Sequence, residues 1–272
     1  MPGTADPRYA PIGIPSQDRE GDVMTKNRDL DILEMPLEAL AAYWLSLKKL
    51  WDSKKGARKV IDEETAHTPE PYIAFLLRTA FGEMGEQRVR KLARIKRESL
   101  LADWRRKIEL MRLALYAVAS GENPRVTLIR MDSRFHAPPM DERRAFDMAG
   151  AVFTAIKEKS ADLPTLLDVS HKQSHDRLVV KLLFYVIHAR REGRQSLAPF
   201  IQFIRSPYFA EGLSLAVDGF DADFLANHLD RVRNEALGDA RRKMQLSVDM
   251  ALAIRDKLPY EDVLLTAQAY ML

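Results

Sequence analysis

The sequence predicts an all-α protein, a multi-helix bundle with a long C-terminal helix. Three observations carry that prediction. Apolar residues recur every three or four positions through most of the chain. Proline, glycine and short polar residues stand where helices should begin and end. Only one run, Val126–Met131 (VTLIRM), has the composition of a strand, so at most one short strand is expected, near 126–131.

The first 28 residues hold four prolines and three glycines among polar residues, and read as a disordered leader. Leu37–Lys55 is the first predicted helix, with Leu40, Tyr43, Trp44, Leu47, Leu50 and Trp51 at helical intervals. Glu70–Phe81 follows, with Pro71 in the first turn and Gly82 beyond its end. Between these two, Glu63 and Glu64 read as part of a polar linker. A longer helix runs from about Glu86 to Ala119, and Gly121 and Pro124 stop it. After Ala137-Pro138-Pro139 come a helix over Asp141–Lys159 and a brief one over Leu163–Val169. The rest reads as a helix from about Gln173 to Arg191 ending at Gly193, then two short helices opened by Ser196 and by Ser206-Pro207. Asp218-Gly219 makes a turn, and Asp221 caps a helix reaching about Lys257. A final helical segment covers Tyr260–Met271. The expected organisation is a leader over 1–28, an N-terminal helical region over 29–139 and a second helical region over 140–272.

Composition limits function. The 42 basic and 39 acidic side chains nearly cancel, leaving a net charge of +3, so overall charge does not call for nucleic acid. Cysteine is absent, which rules out disulfides and thiolate metal sites and suits a cytoplasmic protein. The longest runs free of charge are ten residues, Gln195–Ile204 and Val263–Leu272, half the ~20 that a spanning helix needs. Phosphate-binding glycine loops, nucleophile elbows and zinc-protease motifs are missing, and no catalytic residue, cofactor or metal ligand is assigned.

Three groups of residues remain to be weighed. His171 and His175 stand four apart beside Asp168 and Asp176, a spacing that lets imidazoles converge on a metal. No third ligand is identifiable, and a capping or surface role is the expectation. The Glu86–Arg112 segment holds ten basic residues against four acidic ones. Arg88, Arg90, Lys91, Arg94, Lys96, Arg97, Arg105, Arg106 and Lys107 form a basic patch that reads first as the solvated face of an amphipathic helix. The third group is Arg190, Arg191, Glu192 and Arg194 around Gly193, where helix C-terminal cations complement the macrodipole.

Residues 188–193 (HARREG), 195–201 (QSLAPFI) and 206–230 (SPYFAEGLSLAVDGFDADFLANHLD) follow one another in an order that resembles the cytoplasmic region of the MotA flagellar stator proteins, in the MotA/TolQ/ExbB proton-channel family. The likeness covers residues 180–232, and the family's transmembrane helices have no counterpart here. The resemblance implies a compact helical unit whose charged residues meet a protein partner at the flagellar motor. Arg190 falls at the family's rotor-contacting arginine, with Arg191, Glu192 and Arg194 beside it, and Ala198 replaces the companion acid. The expected function is thus a non-channel relative of that cytoplasmic region, a scaffold or regulator working by protein–protein contact in the cytoplasm. The alternative is a peripheral module whose basic helix, 86–112, binds anionic lipid at the inner face of the membrane or, less favoured, nucleic acid.

Overall fold

The computed structural model describes residues 30–53, 57–158 and 162–271, so the predicted leader over 1–28 lies outside the described residues. Among the described residues there are eleven α-helices and one 3-10 segment. They are α1 (Leu37–Ser53), α2 (Ala57–His67), α3 (Pro71–Ala80), α4 (Glu86–Ser120), α5 (Pro124–Asp132), α6 (Glu142–Lys157), α7 (Leu163–Leu167), α8 (His175–Glu192), the 3-10 segment Arg194–Phe203, α9 (Pro207–Asp218), α10 (Ala222–Arg255) and α11 (Tyr260–Gln268). The all-α prediction and the long C-terminal helix are borne out.

Caps set most of the helix starts. Glu70 accepts the Tyr72 N–H at 3.2 Å ahead of α3, and Asp221 accepts from Asp223 and Phe224 at 3.1 and 2.8 Å ahead of α10. Ser206 accepts from Phe209 with Pro207 at the first helical position of α9.

Two expectations need correcting. Val126–Met131 is not a strand; it lies within α5. Asn123 caps that helix through Arg125 N–H at 2.9 Å, and Pro124 occupies its first turn. Leu128 and Met131, three apart, are buried while Val126 and Ile129, also three apart, are exposed, which is helical and not alternating burial. The local start signal therefore prevailed over the β-branched composition. Glu63 and Glu64 are not in a linker but in α2, where Val60 and Ile61 are the buried apolar side chains among the described residues.

The centre of the molecule is the seam between α4 and α10, the most extensive helix contact present. Four cross-links fix its direction: Arg90 to Asp249 (2.5 Å), Arg97 to Gln245 (2.7 Å), Arg241 to Glu98 (2.6 Å) and Arg233 to Glu109 (2.9 Å). Numbers rise along α4 as they fall along α10, so the two long helices are antiparallel. α8 and α9 pack on one part of α4, and α1 and α3 pack on α10. The buried apolar residues form one continuous cluster that runs from Leu30 to Ala267 and crosses residue 139 without a break. Trp44 on α1 donates its indole N–H to Ser247 on α10 at 3.1 Å, tying the first helix to the tenth inside that core. No helix among the described residues is long and apolar enough to cross a membrane.

Candidate functional site

The residues singled out around the end of α8 come together at one end of the bundle. Gly193 takes φ 83°, a region that favours glycine, and turns the chain from α8 into the 3-10 segment. Arg190, in the last turn of α8, and Arg194, just past the glycine, both reach the C-terminus of α4, whose last carbonyls have no partner within their own helix. Arg190 donates to the Gly121 carbonyl at 3.1 Å and Arg194 to the Ala119 carbonyl at 3.4 Å. Both place positive charge at the negative end of a helix dipole, worth about 0.3–1 kcal/mol each at an exposed site. Arg191 lies over the Phe153 ring on α6 at 5.0 Å, and Glu192 pairs with Lys157 at 3.1 Å. The four residues thus hold α4, α6 and α8 together while remaining mostly solvent-facing.

The next turn brings an aromatic pair to the same end. Gly219 adopts φ 99°, and the Arg194 guanidinium lies 3.5 Å from where a side chain on that glycine would begin. Phe220 and Phe224 follow, flanking the Asp221 cap, with ring centroids 5.1 Å apart and planes 24° from parallel. His228 continues the stack 6.2 Å beyond Phe224, held by Glu211 at 2.7 Å. Phe220 and Phe224 are 43% and 47% exposed, so two stacked phenyl rings face solvent just after the glycine that Arg194 approaches. The Asp221 cap was visible in the sequence; the aromatic pair that flanks it and its exposure were not.

His171 and His175 do not converge. α8 begins at His175, so His171 precedes the helix and faces elsewhere. It is buried, not the capping or surface residue expected, with Nε2 3.1 Å from Asp31 and Nδ1 3.3 Å from Glu34. Lys172 Nζ reaches the same Asp31 at 2.9 Å, and Glu70 binds the Ile32 N–H at 3.2 Å. Burial disfavours a charged His171 ring, but hydrogen bonds to Asp31 and Glu34 outweigh it and lift the pKa to about 9. Burial likewise opposes ionisation of Asp31, yet His171 and Lys172 hold its pKa down at about 2. Among the described residues, Asp31, Glu34 and His171 are the group of three whose potential metal-ligating atoms all lie within 4.8 Å of one another. Their negative charge is already met by an imidazolium and an ammonium, so the cluster works as an ion-pair pin. His175 stands 3.2 Å from Asp103 and edge-on to Phe135.

The basic patch on α4 divides. Lys107 is buried, donating to the His171 carbonyl at 2.9 Å and pairing with Asp103. Arg90 and Arg97 reach across to α10, and Arg106 lies over the Phe135 ring at 5.5 Å. The side chains of Arg88, Lys91, Arg94, Lys96 and Arg105 have no hydrogen-bond or ion-pair partner among the described residues. The patch is therefore part structural seam and part free cations. No protein-family model, no curated protein and no solved structure matches this chain.

Proposed function

We propose that this chain is a helical scaffold that docks a protein partner at the bundle end formed by the C-termini of α4 and α8 and the α9–α10 turn. The observation that carries the reading is the solvent-facing Phe220–Phe224 stack next to Gly219, the glycine that the Arg194 guanidinium approaches. Aromatic rings and arginines are the side chains that contribute most binding energy at protein interfaces. The pair is already stacked, so it loses little side-chain freedom on binding. Its position within 206–230 gives the stator resemblance a surface, and the first partner to test is a flagellar rotor component.

The test is direct binding of purified rotor switch proteins to the wild type, Phe224→Ala and Arg190→Glu, with melting curves alongside. Phe224→Ala is expected to weaken binding by about 2 kcal/mol or more, as central aromatic anchors do. Arg190→Glu is expected to slow association more than it speeds dissociation. Absence of binding by the wild type would remove the motor assignment. Binding unchanged in both variants would move the contact surface away from this end.

A further inference from the structure

We infer that a notch on the α4–α10 seam is a binding site for a phosphoryl oxyanion, with Arg94 as its principal ligand. The inference is independent of the docking surface, since the notch is built from other residues. Arg90, Arg94 and Arg97 line it from α4, spaced four and three apart so that all three stand on one helical face. Gln245 and Val248 complete it from α10, and it encloses about 120 Å³. A single water needs only about 10–15 Å³ of such space, so the notch has ample room for a tetrahedral group of four oxygens.

Two of the three guanidiniums are fixed in advance. Arg97 donates to the Gln245 side-chain oxygen at 2.7 Å, and the Gln245 amide nitrogen donates to Asp249 at 3.3 Å. Asp249 accepts from Arg90 at 2.5 Å, which closes a ring Arg97–Gln245–Asp249–Arg90 across the two helices. Tyr270 donates to the other Asp249 oxygen and steadies that corner. Glu86 holds Arg90 at 2.7 Å, and Glu98 approaches Arg97 at 3.3 Å. Arg94 sits between these two in sequence and has no partner among the described residues.

The charges around the notch balance in favour of an anion. Glu86, Glu98 and Asp249 face four arginines, because Arg241 grips Glu98 through two bonds of 2.6 and 3.0 Å. The unmatched positive charge is that of Arg94. A guanidinium presents donors in a planar fork that fits phosphate oxygens, and a charge-assisted bond of this kind is stronger than a neutral one. Val248 gives the notch an apolar side, which reduces competition from water for those donors. The ligand chemistry is a phosphate or phosphomonoester, free in solution or carried on a lipid headgroup.

Titration calorimetry of the full chain with inorganic phosphate at low ionic strength, paired with sedimentation on phosphatidate-containing vesicles, tests this. Wild type is expected to bind at least one of the two. Arg94→Ala should weaken that binding about tenfold or more. Arg94→Lys should fall between, keeping the charge and losing the fork. Arg105→Ala, an exposed cation on the same helix outside the notch, should leave it unchanged. Phosphate binding lost in Arg94→Ala identifies the free anion as the source; vesicle binding alone, lost in the same variant, identifies the headgroup. No binding of either probe overturns the proposal. So does an Arg94→Ala protein that binds as well as wild type, or an Arg105→Ala protein that loses as much as Arg94→Ala.

Discussion

His171 shows how much one side chain carries when it joins distant parts of the chain. Its ring bridges Asp31 and Glu34, Lys172 shares Asp31, Lys107 binds its backbone carbonyl, and Trp104 covers it edge-on at 6.1 Å. Glu70, whose carboxyl is pushed up by its own burial, anchors the backbone of the same segment at Ile32. The segment before α1 is thereby held to α3, α4 and the turn ahead of α8. The consequence for stability has a definite direction. A pKa raised from 6.5 to about 9 means the folded state holds the proton more tightly than the unfolded chain. The contribution is therefore complete below pH 6.5 and is lost as pH climbs through about 9. Its ceiling is about 3 kcal/mol, and the lowered pKa of Asp31 describes the same contact from the other side, so the two are not added. Asp31 adds an acid limb, with stability lost as pH falls below 3.8 towards about 2. In urea unfolding, His171→Gln should be less stable than wild type at neutral pH, and the gap should close as pH passes about 9. A gap that stays constant across that range would show that the ring's proton does not hold the segment.

At the scale of elements, helix identity was legible wherever a stripe of apolar residues was long, as in α4 and α10. It was not legible in α2, because Arg58, Lys59, Asp62, Glu63 and Glu64 leave too little apolar pattern around Val60 and Ile61. Composition misread α5, where Asn123 and Pro124 set the helix and β-branched residues merely occupy it. The sites were less legible than the helices. Arg190 and Arg194 were identifiable as C-terminal cations, but the carbonyls that they bind belong to α4, which no local pattern reveals. Crossing contacts also explain Gly212 in α9. A Cβ there would lie 2.4 Å from Leu115 Cδ1 on α4 and 3.1 Å from Leu229 Cδ2 on α10. Both leucines are buried, at 0% and 1% exposure, so neither can swing into solvent. Alanine would gain up to about 1 kcal/mol from helix propensity, but overpacking costs about 1–3 kcal/mol, so the clash prevails. Gly212→Ala should lower unfolding free energy by about 1 kcal/mol. A more stable variant in chemical denaturation would mean that the three helices separate more easily than their packing implies.

For the whole molecule, the decisive feature is that α10 serves both ends of the sequence. It meets α4 and α9, and it also packs against α1, α3 and α11. The proposed division near residue 139 thus falls across a single continuous core. Trp44 is a natural reporter of this arrangement, because it belongs to the first helix yet bonds Ser247 on the tenth. Ser247 is fully buried and donates its own O–H to the Lys243 carbonyl at 3.0 Å, so its hydroxyl links the indole to the backbone of α10. Ser247→Ala leaves the Trp44 N–H buried without an acceptor, a loss of about 1–3 kcal/mol. If the helices form one cooperative unit, that loss lowers the stability of all of them together. Tryptophan fluorescence, which reports Trp44, Trp51 and Trp104 in the first half of the sequence, should then shift with far-UV circular dichroism, which reports every helix. Coincident transitions, moved by the same amount in Ser247→Ala, are the expected result. A fluorescence transition that moves while part of the helical signal melts separately would show that 29–139 and 140–272 unfold as independent bodies, with the α10 contacts too weak to couple them.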